Sequence, residues 1–253
     1  MKLICFPHAG GISGYYAFLR RASLEGVDSI ELMDYPGRRA RSSEKGYRDF
    51  QDCVEGMCKR LVARELRDGN YVLFGHSMGA FMAYEVGCLL QSRYGLRPFH
   101  VFISGQKPPC KVIPEHYREC ESEGLDFLKR LGGVPDLILQ DEDIARYFME
   151  LCVRDLRLLQ SYRPHEADPL NRPMTGSVIC GDDDFEVSLD ELPYWKDYFT
   201  VEPEVRVVDG NHFYMQRQEQ ENELISFMNM RLLDAEAGRL REDAGCCLGS
   251  VSP

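Results

Sequence analysis

The sequence is short of basic charge, of paired cysteines and of long apolar runs, and each shortage excludes something. Against 41 acidic residues stand 30 lysines and arginines, a formal net charge of −11. A general nucleic-acid or anionic-membrane binder needs a basic excess, so neither partner is expected. Ten cysteines are present, yet no C-x-x-C pair occurs and only Cys246 and Cys247 stand together. Structural zinc needs ligands paired at short fixed spacing, so no metal is expected. The scattered Cys5, Cys53, Cys58, Cys88, Cys110, Cys120, Cys152 and Cys180 read as reduced, mostly buried thiols. No run of 18 apolar residues exists, so no membrane span is expected. Ahead of Pro7 the one apolar run is Leu3–Phe6, too short for a secretory signal. These absences lead to the expectation of a soluble, cytoplasmic protein.

What is present is ordinary globular chemistry. The chain has 253 residues, 44% apolar and 28% charged, which excludes a disordered or fibrous chain and suffices for one sizeable core. Short β-rich runs at Leu3–Phe6, Ile30–Met33, Tyr71–Phe74, Val101–Ser104, Val178–Cys180 and Val205–Val208 alternate with helical patterns. That alternation predicts a mainly parallel sheet flanked by helices. Phe50, Val54, Met57, Leu61 and Val62 recur at helical spacing, Met78–Tyr94 reads as a buried helix ended by Gly95, and a last helix is expected over Gln218–Leu233. Between about 107 and 173 no strand pattern appears, but helical ones do, near Leu125–Leu131 and Asp143–Tyr162. A helical insertion of that length reads as a lid over the strand C-termini. The expected division is a domain over 1–234 carrying this insertion and a disordered tail over 235–253.

Gly75-His76-Ser77-Met78-Gly79 follows one predicted strand directly and opens a predicted helix. In that setting G-x-S-x-G is a nucleophile elbow: the sharp turn lifts the Ser77 hydroxyl above the sheet and aims the helix N-terminus at the reacting carbonyl. A serine hydroxyl needs a base, and the elbow's partners follow in the order nucleophile, acid, histidine, each at a strand end. The fifth strand runs into Asp182-Asp183-Asp184, and the sixth into Asp209-Gly210-Asn211-His212. His212 is therefore the expected base, with the acid open among three aspartates. An oxyanion hole needs two backbone donors: the Met78 N–H, and one from a glycine-rich turn such as His8-Ala9-Gly10-Gly11.

With these motifs the chain resembles the type II thioesterases, stand-alone α/β-hydrolases that accompany polyketide, nonribosomal-peptide and fatty-acid synthases. The resemblance rests on Phe6-Pro7-His8-Ala9-Gly10-Gly11, Tyr35-Pro36-Gly37-Arg38, the elbow with Ala83-Tyr84-Glu85, Ser104-Gly105 with Pro108, Leu131-Gly132-Gly133, Asp155 through Tyr162 and Gly210-Asn211-His212-Phe213. It implies an α/β-hydrolase fold with a helical lid that shapes an acyl channel. The implied activity is hydrolysis of acyl groups from the phosphopantetheine arm of acyl or peptidyl carrier domains, through a Ser-His-Asp triad and an acyl-enzyme. The arm belongs to the substrate, so no cofactor is expected, and a monomer is. The family's G-x-x-D segment, with an aliphatic residue three positions on, selects Asp184 by way of Gly181 and Val187; its second oxyanion donor falls on Ala9. The chain departs from the pattern in opening almost on the motif strand and in carrying Asn211 where the family has glycine before the histidine.

Two other readings stand beside this one: a carboxylesterase or lipase acting on oxygen esters, and a non-catalytic binder of carrier domains. Arg38, Arg39 and Arg41 form the densest basic cluster, read equally as a dock for phosphate or an acidic helix and as a solvated loop.

Overall fold

The first strand divides the core. Along β1 (Lys2–Phe6) side chains alternate, so Leu3 and Cys5 enter one buried cluster while Ile4 and Phe6 enter another on the opposite face. The computed structural model describes residues 1–123, 125–131, 140–164 and 175–248. Five more strands follow: β2 (Ser29–Leu32), β3 (Tyr71–His76), β4 (His100–Ser104), β5 (Gly176–Gly181) and β6 (Glu204–Val208). All pair in parallel, in the order β2-β1-β3-β4-β5-β6. The order reverses between β1 and β3, and such a switch point opens a crevice at the strand C-termini. Phe6 is in register with Gly75 there, so the turn after β1 lies beside the turn after β3.

Helices cover both faces. Helix α1 (Phe50–Val62) starts at Asp49, whose carboxylate accepts the Asp52 N–H, and buries Phe50, Cys53, Val54, Met57, Cys58 and Leu61. Helix α2 (Met78–Tyr94) is buried on nearly every side and ends at Gly95 in the left-handed conformation. The insertion holds α3 (His116–Glu123), α4 (Leu125–Leu131) and α5 (Glu142–Gln160), and no strand among its described residues. Helix α3 was not legible in the sequence, because its residues HYRECESE carry little apolar periodicity. Leu131 closes α4; Gly132 and Gly133 of the Leu131-Gly132-Gly133 motif lie outside the described residues.

Helix α6 corrects the expected tail. It runs Gln218–Leu248, through residues 235–248 that were expected to be disordered. The stretch after Asp234 is rich in Ala, Glu, Arg and Leu, and extending an existing helix with good formers is far easier than nucleating one. Leu224, Phe227, Met228 and Leu232 of α6 pack on the face that Leu3 and Cys5 occupy. Among the described residues no helix is long and apolar enough to cross a membrane, and no group of His, Cys, Asp and Glu is arranged to hold a metal. Cys5, Cys53, Cys58 and Cys180 are buried free thiols, and Cys110 is an exposed one.

Candidate active site

Ser77 sits at the tip of the strand–helix turn with φ 54° and ψ −122°, a conformation side chains rarely adopt. Its neighbours hold it there. The Ser77 N–H donates to Ser104 O at 2.9 Å, and a Cβ on Gly75 would run into the Gly79 carbonyl, one on Gly79 into the Phe6 carbonyl. Both glycines are thus required by close backbone approach. The second brings the elbow against the end of β1.

Parallel pairing of β5 and β6, with Gly181 opposite Val208, brings the acid and histidine loops together. His212 Nδ1–H donates to Asp184 Oδ2 at 2.8 Å, and both side chains are buried. The Glu186 N–H donates to Asp184 Oδ1 at 2.9 Å, which fixes the carboxylate plane. The other two aspartates do different things. Asp182 Oδ1 accepts the Gly210 N–H at 2.9 Å and ties the two loops, while Asp183 is exposed. Asn211 builds its own turn: Oδ1 accepts the Phe213 N–H at 2.9 Å and its carbonyl the Tyr214 N–H at 3.0 Å, so the turn stands without glycine at that position.

Beneath His212 lies a second ring, His76, 4.9 Å away between centroids. Its Nδ1 bonds with the Ser104 hydroxyl at 2.9 Å, which meets the Tyr214 hydroxyl at 2.7 Å. Burial holds His76 well below the ordinary histidine range, so it packs against the triad as a neutral ring. Burial likewise brings His8 down to about 3, with His212 and Arg38 adding to the effect.

The turn after β1 places Ala9 beside Ser77. Both line a cavity of about 30 Å³, together with Phe127, Leu156, His212 and Phe213. That volume admits a water, since one needs about 10–15 Å³, but no acyl chain. A groove of about 370 Å³ shares Tyr117 and Glu186 with this cavity and extends past Lys107, Ile113, His116 and Phe185. In the turn, the Gly10 N–H is taken by Asp155 Oδ2 and the Gly11 N–H by His8 O, which leaves the Ala9 N–H without a partner among the described residues. Met78 is the first residue of α2, where helix geometry leaves the backbone N–H unpaired.

The arginine cluster is largely withdrawn from the surface. Arg38 is completely buried and Arg41 nearly so; Arg41 bonds to Asp34 O, Glu44 and Tyr47. Only Arg39 stays half exposed, 3.7 Å from Asp34. A run of arginines reads as solvated unless its carboxylate partners are known, and Asp155 lies 117 positions away in the sequence.

The chain is similar to known thioesterases over most of its length. The family described as Thioesterase domain matches residues 1–232. Thioesterase PikA5 of Streptomyces venezuelae is 27% identical over 222 residues, which cover 86% of this chain and 76% of that protein. RedJ, a thioesterase from the prodiginine biosynthetic pathway in Streptomyces coelicolor, superposes with a TM-score of 0.77 at 26% identity, covering 91% of this chain and 89% of its own. BorB, the type II thioesterase from the borrelidin biosynthetic cluster, gives 0.75 at 26% identity, covering 91% and 92%.

Proposed function

The chain belongs to the thioesterase domain family, and from that premise we propose that it hydrolyses acyl thioesters carried on the phosphopantetheine arm of acyl or peptidyl carrier domains, as an editing enzyme of polyketide or nonribosomal-peptide assembly. In this reading Ser77 is the nucleophile, His212 the base, Asp184 the group that orients it, and the Ala9 and Met78 N–H groups the oxyanion donors. The observation that carries it is the convergence of the strained Ser77, the His212–Asp184 pair and the unpartnered Ala9 N–H on one small cavity under a helical insertion.

The chemistry follows from the geometry. Asp184 holds the proton on Nδ1, so Nε2 is the nitrogen that takes the Ser77 proton. Ser77 Oγ adds to the thioester carbonyl, and the two N–H groups receive the negative oxygen. Collapse breaks the C–S bond, and the departing thiolate takes the proton from His212. A thiol with a pKa near 8.5 leaves with little assistance, so activation of serine and oxyanion binding dominate the barrier. Water then gives its proton to His212, attacks the acyl-enzyme and releases the acid with Ser77 restored. The only prosthetic group in this scheme arrives on the substrate protein.

We read the insertion as a lid. The Ser77 cavity is too small for an acyl group, so the α3–α4 side must yield, and the adjoining groove past Tyr117 and Glu186 offers the arm a route. The test compares turnover of an acyl-carrier thioester with that of the matching oxygen ester, alongside labelling by a fluorophosphonate. Thioester turnover with labelling abolished in Ser77→Ala is expected. Preference for the oxygen ester would turn the reading towards a carboxylesterase, and absence of labelling towards a carrier-binding protein. Asp184→Asn should lower kcat by at least about 10³-fold, whereas Asp183→Asn leaves it within about twofold; equal losses would remove Asp184 from its role.

A further inference from the structure

Arg38 and Asp155 form an ion pair with no solvent exposure on either residue. Arg38 Nη2 donates to both Asp155 carboxylate oxygens at 2.8 Å, and Nη1 donates to the Gly11 carbonyl at 2.6 Å. The same carboxylate accepts the Gly10 N–H at 2.8 Å. One pair therefore grips the turn at two peptide groups, one by its donor and one by its acceptor. Helix α5 reinforces the grip: the backbone and Cβ of Cys152 lie directly over Gly10. On the other side Arg154 donates to Pro36 O at 3.2 Å and Tyr147 to Gly37 O at 3.3 Å, so the helix clamps the loop that delivers Arg38.

A buried ion pair is a weak device for stability, because desolvation of two charges offsets their attraction, and an apolar pair of similar volume would hold α5 as well. Burial raises the Asp155 carboxyl while Arg38 and the Gly10 N–H oppose that rise, the pattern of a charge kept at cost. What an apolar pair cannot do is accept the Gly10 N–H and donate to the Gly11 carbonyl. The first bond fixes the Ala9–Gly10 peptide, which adjoins the one carrying the Ala9 N–H, and the second holds the Gly11–Ile12 peptide; between them the Gly11 N–H donates at 2.9 Å to the His8 carbonyl, in the same peptide group as the Ala9 N–H. An oxyanion donor works only within roughly 0.5 Å and 10–20° of its productive geometry.

We propose that Arg38 and Asp155 are positioning residues of the oxyanion hole: the pair, brought together from the loop after β2 and the insertion helix, sets the Ala9 N–H for the oxyanion without touching substrate. This rests on the assignment of Ala9 as an oxyanion donor in the proposed thioesterase reaction.

The experiment uses the full chain and two readouts: steady-state hydrolysis of an acyl-carrier thioester, and affinity for a trifluoromethyl ketone analogue of the acyl-pantetheine, whose adduct on Ser77 carries an oxyanion. The double variant Arg38→Met/Asp155→Leu keeps the volume buried. It is expected to fold with kcat lowered about 10- to 100-fold, within what one oxyanion donor is worth. KM should stay within about threefold, and analogue affinity should fall by the same factor as kcat. Arg38→Met/Asp155→Asn, which restores an acceptor for the Gly10 N–H, should recover part of both. If the apolar variant does not fold, Arg38→Lys, which keeps the charge but not the two-pronged geometry, is expected to show a parallel loss in kcat and analogue affinity of about tenfold. A folded apolar or lysine variant with wild-type kcat and analogue affinity, changed only in thermal midpoint, would reduce the pair to a structural role and overturn the proposal. Activity retained in Ser77→Ala would instead overturn the reading on which it rests.

Discussion

The two halves of the insertion are held to the body by different forces. Helix α5 is fastened through burial: Leu151, Cys152, Leu156, Leu158 and Leu159 enter the core, and Asp155 is locked to Arg38. Just beyond it the Tyr162 hydroxyl donates to Glu85 at 2.8 Å, and the Ser161 hydroxyl accepts the Phe50 N–H at 2.9 Å. Among the described side chains, helices α3 and α4 bring Tyr117 and Phe127 inward and otherwise meet their surroundings through partly exposed pairs. Arg157 reaches Glu121 at 2.7 Å, and His116 reaches Glu186 at 2.9 Å. Exposed pairs contribute about 0–1 kcal/mol each, whereas a buried leucine contributes about 1.5–3 kcal/mol. The difference teaches that one segment in sequence is held in two ways: α5 is fastened by burial into the body of the protein, and in the proposed reading α3–α4 is the half expected to open.

The strongest perturbation tests whether chemistry takes part in holding either half. Ser77→Ala should lower kcat by at least about 10⁴-fold while hydrogen exchange in α3, α4 and α5 stays as in the wild type; a change in exchange would mean that the nucleophile helps close the lid. The next measurement separates the halves directly. Leu159→Ala should cost about 2–5 kcal/mol in denaturant unfolding, as buried leucines do. Phe127→Ala on α4 should change global stability by less than about 1 kcal/mol and appear instead as faster local exchange. Equal global losses for both would erase the distinction.

A smaller effect comes from pH. His116 titrates above its ordinary value because it is hydrogen-bonded to Glu186, with Glu119 adding to the shift and Lys107 and burial opposing it. Glu115 lines the same groove. A folded-state pKa raised above the unfolded one means that the contribution is fully present below the unfolded value and lost as pH rises through the folded one. Between about pH 5.5 and about pH 8.5, exchange in α3, corrected for intrinsic rates, should therefore quicken several-fold while α5 stays constant. His116→Gln should remove the trend; a trend that survives it would assign the effect elsewhere. The smallest effect is expected from Glu121→Gln, less than about 1 kcal/mol, and weaker still at high salt.

What could be read from the sequence was whatever neighbouring residues decide among themselves. Alternation and turn residues located all six strands, apolar spacing located α1 and α2, and the elbow showed itself because its strain is local to Gly75 through Gly79. The same locality explains the misses. Helix α3 forms on a polar sequence because tertiary partners such as Glu186 and Arg157 meet it, and those lie dozens of positions away.

Asp182, Asp183 and Asp184 are chemically alike in sequence, and resemblance rather than chemistry separated them. In the fold they differ because β5 and β6 pair in parallel and only Asp184 is carried to His212. Arg38 is the sharper case. On sequence grounds a guanidinium beside two others belongs in water, since burying an unpaired charge is prohibitive. Only the tertiary structure supplies Asp155, the Gly10 N–H and the Gly11 carbonyl at bonding distance, and with them the reason a charge can be fully buried here. Strand, helix and elbow are set by interactions within a few residues, so the sequence by itself determined them. The partners of charged groups are set by contacts across the chain, so those belonged to the fold.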